Sequence, residues 1–329
     1  MPRIPSARAL QRRLRAGTRK VLGPERTDAA RSLLQGTAPP PAPNLVYLRD
    51  GGRPRTRWPA YPPAGYLGQL EPAFQARLAA ERAAFDRGDC DFYHATVLRS
   101  GEVIEAPWDL RGREDAYLGG IDVGGKRVFE LGPASGYLTF HMEKAGAEVV
   151  AFEVGFDRSV DMLPFPGQDV VTKRDALMHY IGAVQNSWWF VHRDRQSAAK
   201  IVYANVYDLP GDLGTFDVAV FGAVLLHLRD PWTALSQVAS RTTGAIIITD
   251  TVSDPAADPE RNVMRFDPSG PDAETVWWEI SPGALMAMLR RLGFAKTTLT
   301  RHTQLHYMAH DMTKDPVEMN MYTLVAERG

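Results

Sequence analysis

Two acids and two glycines between Val128 and Val154 carry the chemistry most open to reading. The stretch VFELGPASGYLTFHMEKAGAEVVAFEV places Glu130 just before a turn, Gly132 and Gly136 within it, and Glu153 where the next apolar run stops. Gly132 and Gly136 permit backbone geometry that a side chain obstructs, and they let a ligand approach the main chain. An acid at the position of Glu153, at the carboxyl end of a strand, accepts hydrogen bonds from both hydroxyls of a ribose. The nicotinamide fingerprint G-x-G-x-x-G is only half present, because Ala134 stands in the middle position and no glycine holds the third. Glu130 counts further against a dinucleotide, whose pyrophosphate is anionic. An acid there suits a sulfonium ligand that carries an ammonium group.

These residues need a strand before the turn, a helix after it and a second strand beside the first. RVFEL reads as a buried strand, Tyr137 to Ala145 as a helix stopped by Gly146, and AEVVAFE as the second strand. The pattern then repeats. Apolar runs fall at 127–131, 148–153, 201–206, 216–221, 245–250, 296–300 and 321–326, with helical segments at 136–145, 175–193, 231–241 and 282–292. Nearly continuous apolar strands separated by helices indicate a parallel sheet covered on both faces. The last two runs are joined by a loop without a helix, which predicts a closing antiparallel hairpin. Upstream, a helix is expected from about Pro72 to Phe85, a hairpin turning near Ser100-Gly101, and a short helix from about Arg113.

The chain has 329 residues, a formal net charge of -1 and 44% hydrophobic residues, enough for one large domain and an appendage. Near-neutrality gives no global field for nucleic acid or an anionic membrane. With Cys90 as the lone cysteine, neither an internal disulfide nor a Cys-rich metal site is available. The eight histidines show no spaced ligand set, and the i,i+4 pair His302 and His306 falls in a strand region, so no metal is expected. No apolar run reaches the length of a membrane span. The basic start MPRIPSARALQRRLRAGTRK lacks the apolar core of a secretory signal, so a cytoplasmic location is expected. Three regions follow: a basic, Pro- and Arg-rich extension at 1–66 with a helix around Ala9–Leu22, a helical and hairpin lead-in at 67–125, and an α/β domain at 126–329 with insertions near 155–200 and 253–279.

Acid, x-G-x-x-x-G turn and second acid together resemble the pocket of class I S-adenosylmethionine-dependent methyltransferases. Other segments extend the resemblance: IVYANVYDLP, FDVAVFGAVLLHLRDPWTALSQVA, TGAIIITD and WWEISPGALMAMLRRLGF. It runs from about Phe92 onward and is similar to a bacterial branch that includes the tRNA wobble-uridine carboxymethyltransferases. The resemblance implies a Rossmann-like seven-stranded sheet, mostly parallel with the last strand antiparallel, and S-adenosyl-L-methionine as cofactor, released as S-adenosyl-L-homocysteine. It implies cofactor contacts at Glu130, Gly132, Ala134, Gly136 and Glu153, at Asn205 and Val206 against the adenine, and at Gly222 beside the sulfonium. His227, on the loop after the fourth strand, is the catalytic candidate. Either it accepts a proton from the acceptor, or its ring packs under the loop and orients the acceptor.

Substrate candidates come from three segments. Tyr93, His94, Trp108 and Arg111 precede the sheet, where related folds cover the cofactor, although Arg111 also suits a surface ion pair. Trp188 and Trp189, with His192 and Arg193, suit either a pocket lid or a packing helix. Arg265, Trp277 and Trp278 lie in a late insertion, where the aromatic pair either stacks on a flat acceptor or closes the core. The resulting expectation is methyl transfer to oxygen, nitrogen or carbon of a small-molecule acceptor, such as a secondary metabolite or sugar. The rivals are a tRNA wobble-uridine methyl- or carboxymethyltransferase, a nicotinamide oxidoreductase and a cofactor-binding protein without catalysis. Oligomeric state leaves no sign in the sequence.

Overall fold

Strand after strand here is apolar on both faces, and a strand of that kind is stable only when it is covered twice. The computed structural model describes residues 67–155, 160–163, 167, 169–252, 261–266 and 275–329. All lie in one unit spanning Tyr47–Gly329. The expected extension at 1–66, its helix around Ala9–Leu22, and parts of both expected insertions lie outside the described residues.

Twelve strands are described: β1 (Thr96–Val97), β2 (Val103–Ile104), β3 (Trp108–Asp109), β4 (Arg127–Leu131), β5 (Glu148–Val154), β6 (Lys200–Ala204), β7 (Phe216–Gly222), β8 (Thr242–Thr251), β9 (Met264–Phe266), β10 (Trp278–Ile280), β11 (Lys296–His306) and β12 (Val317–Glu327). The α-helices are α1 (Pro72–Arg82), α2 (Glu114–Tyr117), α3 (Tyr137–Lys144), α4 (Val170–Arg195), α5 (Pro231–Ala239) and α6 (Pro282–Arg291). The main sheet has the order β3-β11-β12-β8-β7-β4-β5-β6. Strands β4 to β8 pair in parallel, while β12 runs antiparallel to both β8 and β11. This is the expected Rossmann-like sheet with its closing hairpin. It gains an eighth, two-residue strand, β3, set against the end of β11. The β1–β2 and β9–β10 pairs form separate two-stranded ribbons.

Each face has its own core. On one, Phe129, Phe152 and Phe216 pack with Leu235 and Val238 of α5 and Leu285 and Leu289 of α6. On the other, Val128, Val149 and Val218 lie under Leu138 and Phe140 of α3, Trp188 of α4 and Leu78 of α1. Helix starts follow local chemistry. Asp169, Asp230 and Ser281 each accept a backbone N–H from the first turn of their helix, and Pro231 and Pro282 open α5 and α6, where a missing N–H costs nothing.

Parallel register then decides where function can sit. Leu131 lies beside Phe152 on one side and Phe221 on the other. The residues that follow, Gly132, Glu153 and Gly222, therefore share one edge, at the carboxyl ends of the strands, where open α/β sheets bind ligands.

Candidate functional site

A cavity of about 200 Å³ opens at this edge. Its floor is Gly132 and Ala134 after β4, Glu153 of β5, and Gly222, Ala223 and Val224 at the end of β7. Backbone conformation is unusual at both turns. Ala134 and Ala223 have φ of +48° and +47°, and Gly132 +69°. A left-handed non-glycine residue costs about 1–2 kcal/mol, and alanine has the smallest side chain that must bear it. A β-carbon on Gly132 would sit 3.1 Å from Val224 Cγ2, so the two turns press on one another.

The walls are aromatic. Tyr93, His94, Trp108 and Leu110 come from the lead-in and Tyr117 from α2. Helix α4 adds Tyr180, Ile181 and Val184, and β12 adds Met321. Trp108 is backed by the His306 ring at 4.3 Å between centroids. The backbone N–H of His94 donates to Ser135 Oγ at 2.9 Å, which ties the lead-in to the β4 turn. Burial holds the His94 imidazole neutral, with a pKa pushed down to about 4.

Three carboxyl groups gather at this end of the sheet. Burial pushes Glu153 up to about 7, and its Oε1 accepts the Val154 N–H at 2.8 Å. Glu130 is likewise pushed up to about 7, by burial above all, then by the charge of Glu153, against the pull of a hydrogen bond from the Thr139 hydroxyl. Asp250, at the end of β8, is raised to about 7 by burial. Of the three only Glu153 lines the cavity, and a cation bound beside it would lower its pKa. Among the described residues that line the cavity, none is lysine or arginine.

His227 joins the same cavity from the turn after β7. Its Nδ1 lies 2.8 Å from the carbonyl oxygen of Thr275. A carbonyl only accepts, so Nδ1 carries the proton and Nε2 keeps a lone pair. Burial holds this imidazole below its ordinary value, against the pull of the Thr275 hydrogen bond.

Other expected site residues lie elsewhere. Gly136 opens α3 with φ +85°, but a β-carbon there would meet the Phe140 and Trp188 rings at 2.5 and 2.6 Å, so its bareness serves packing. Trp188 and Trp189 are sealed in the core, 0% and 2% exposed, and are not on the cavity wall. The Trp188 indole donates to Thr139 Oγ1 at 3.2 Å and the Trp189 indole to the Tyr203 hydroxyl at 2.9 Å. His192 stacks on Trp188 and donates Nε2–H to Ala199 O at 3.1 Å, also within the packing. Arg193 caps the end of the α1 segment through Ala83 O and Phe85 O. Arg111 clasps Asp109 with Nε and Nη2, both at 2.7 Å, and reaches Glu105, an ion pair outside the cavity. Arg265 clasps Glu279 across the β9–β10 ribbon. Trp277 and Trp278 bond through their indoles to Asp161 O and Arg229 O, below the ribbon. Asn205 spends its Oδ1 on the Tyr207 N–H at 3.1 Å, closing a turn, and Val206 is in the core. Tyr117, Tyr180 and Met321 are wall residues that no motif marks. Tyr180 alone had a usable signal, one helical turn before Val184 on the same face.

No protein-family model matches the chain. It is similar to the tRNA U34 carboxymethyltransferase of Idiomarina loihiensis, 28% identical over 183 residues, covering 55% of this chain and 49% of that one. The tRNA U34 carboxymethyltransferase of Methylococcus capsulatus is 26% identical over 266 residues, 74% of this chain and 72% of its own. The match thus spans about half the length of the first relative. A solved structure, the N-terminal domain of EvdMO1 with S-adenosylhomocysteine bound, aligns with a TM-score of 0.37 at 19% identity, over 67% of this chain and 79% of that one. The chain is thus similar to the tRNA U34 carboxymethyltransferases at low identity, and its fold is the Rossmann-like, mostly parallel sheet that the sequence resemblance implied.

Proposed function

We propose that the protein transfers a methyl group from S-adenosylmethionine to oxygen, nitrogen or carbon of a small-molecule acceptor. The observation that carries this reading is the convergence of Gly132, Glu153, Gly222 and His227 on one cavity at the carboxyl ends of the strands, lined by one buried carboxyl and by no described lysine or arginine. Glu153 would hold the ribose hydroxyls, the Gly132–Ala134 turn the amino-acid end, and the backbone of Gly222 and Ala223 the sulfonium. Bound there, the cofactor supplies a methyl group on an electrophilic sulfonium.

The protein's own work is placement and proton handling. Tyr93, Trp108 and Tyr180 offer flat apolar surface to an acceptor and keep water away, which strengthens alignment with the methyl carbon. His227, with its proton fixed on Nδ1, receives at Nε2 the proton that an acceptor hydroxyl or amine gives up. With an acceptor that carries no such proton, the same ring only orients it.

The relatives' names favour a second reading, carboxymethyl transfer to a tRNA wobble uridine. The charge around the cavity speaks against it. A carboxylate on the transferable group would find no described lysine or arginine on the cavity wall to meet its charge. The net charge of -1 offers little for a polyanion. Purified protein incubated with methyl-labelled S-adenosylmethionine and host extract, then fractionated, tests the choice. Label is expected in the small-molecule fraction. Label in tRNA, with binding that weakens steeply with salt, would replace this reading by the second. Tight S-adenosylhomocysteine binding with no label transferred to any fraction would leave a binding protein.

A further inference from the structure

The β9–β10 ribbon is fastened to the loop after β7 by polar contacts that the reaction as described leaves unused. The Trp277 backbone N–H donates to Leu226 O at 2.8 Å. Two residues before Trp277, and one after Leu226, lie the partners of the 2.8 Å contact between Thr275 O and His227 Nδ1. The Trp277 indole N–H donates to Asp161 O at 3.3 Å, and the Trp278 indole to Arg229 O at 3.2 Å. The Asp161 carboxylate accepts the Arg229 N–H at 3.0 Å and the Tyr207 hydroxyl, whose oxygen accepts the Asp230 N–H at 3.3 Å. Chain leaving β5, β6 and β7 is thereby knotted to the ribbon, and Trp277, from the ribbon side, bonds to two of those segments at once.

An imidazole in water exchanges freely between its two neutral tautomers. As a proton acceptor toward the cavity, His227 is competent only with Nδ1 protonated. The carbonyl that enforces this belongs to Thr275, whose place depends on the anchoring two residues later. We infer that Trp277 is a positioning residue for His227: by pinning the Thr275 carbonyl beside Nδ1, it holds the ring in the Nδ1–H tautomer and leaves Nε2 free to take the acceptor's proton. Trp277 thus acts on the chemistry from behind the catalytic candidate and is not a stacking surface for the acceptor. The inference rests on the proposed role of His227, yet its test needs no acceptor.

Full-length protein carrying ¹⁵N-histidine, with and without S-adenosylhomocysteine, is examined by long-range proton–nitrogen NMR, with His227→Gln identifying the resonance. The wild type should show His227 as the Nδ1–H tautomer. Trp277→Phe keeps an aromatic ring and loses the indole bond to Asp161, and Trp277→Ala loses the packing as well. Both should transfer population to the Nε2–H tautomer, with a larger effect in Trp277→Ala. A wild-type His227 in the Nε2–H form overturns the inference, as does a folded Trp277→Phe or Trp277→Ala with an unchanged tautomer. Should Trp277→Ala fail to fold, Trp277→Phe decides. Failure of S-adenosylhomocysteine to bind the wild type would instead defeat the methyltransferase reading, and the tautomer of the unliganded protein would still decide this one. With an acceptor in hand, kcat should fall toward the about 10²–10⁴-fold limit of a lost general base, with KM for S-adenosylmethionine unchanged.

Discussion

Glu153→Gln should stabilise the empty protein and weaken its hold on cofactor, two effects of opposite sign from one atom change. Burial holds the carboxyl at about 7, against an ordinary 4.5. Between those values the folded state retains the proton that the unfolded chain has lost. Stability therefore falls as pH rises from about 4.5, and the loss is complete above about 7. The ceiling is about 3 kcal/mol, at about 1.4 kcal/mol per pH unit, and the high effective dielectric felt even at buried protein sites reduces it to about 2 kcal/mol. Glutamine keeps an oxygen for the Val154 N–H and does not ionise. Its neutrality also lets Glu130 titrate lower, which adds in the same direction. At pH 8 the variant should melt about 4–8 °C above the wild type, and at pH 4.5 the two should coincide. Calorimetry with S-adenosylhomocysteine should show a loss of about 1.5–3 kcal/mol for each charged hydrogen bond removed. Wild-type affinity should rise with pH through about 7 as the buried acids ionise. Equal melting at pH 8 would refute the buried charge, and unchanged affinity would refute Glu153 as the ribose acid.

Gly132→Val should abolish S-adenosylhomocysteine binding while a cooperative melt persists, since φ is +69° and Val224 already crowds the position; normal binding would show that no ligand passes close to this backbone. Trp188→Ala should cost about 3–5 kcal/mol in denaturant unfolding, as a large core truncation does; undiminished stability with loss of acceptor turnover alone would return Trp188 to the site. For His227→Asn, the chemical step should slow by about 10²–10⁴-fold and lose its acidic limb. In the wild type that limb should lie below pH 6.5, with activity rising as the ring deprotonates, because burial lowers its pKa; retained turnover with a raised acceptor KM would assign the ring to binding.

Period and punctuation made the sheet legible. Each strand expected between Lys126 and Ala326 exists: two-sided burial writes continuous apolar runs in β4 to β8, Gly146, Asp230-Pro231 and Ser281-Pro282 mark the helix boundaries, and β11, which is at least partly exposed along almost its whole length, is the exception. Strand β3 escaped because two residues carry no period, and its pairing with Leu305 and His306 exists only in three dimensions. Trp188 and Trp189 resisted reading for a related reason. Around them α4 buries Gln185, Asn186 and Ser187 as well. The partners of those polar side chains, Val154 O, Asp89 O and Asp91 O, come from distant segments, so this stretch of the helix has no outward polar face to betray its orientation. The acids were findable from their places at strand ends. That Thr139, on the helix after the turn, would hold Glu130 was not, because the contact depends on how α3 settles on β4.

The position of β12 inside the sheet bears on how the chain is made. Synthesis runs from β4 through β8 to β11 before Val317–Glu327 leave the ribosome, yet β12 belongs between β8 and β11. Until then the Ile246–Ile248 edge of β8 has no partner on that side, and β11 has no neighbour but β3. Met321, on that late strand, also closes the cavity. The nascent chain must therefore carry an open sheet edge, the kind that invites pairing with other chains, through the whole interval from β8 to β12. The cavity wall is completed only when the last strand slots in.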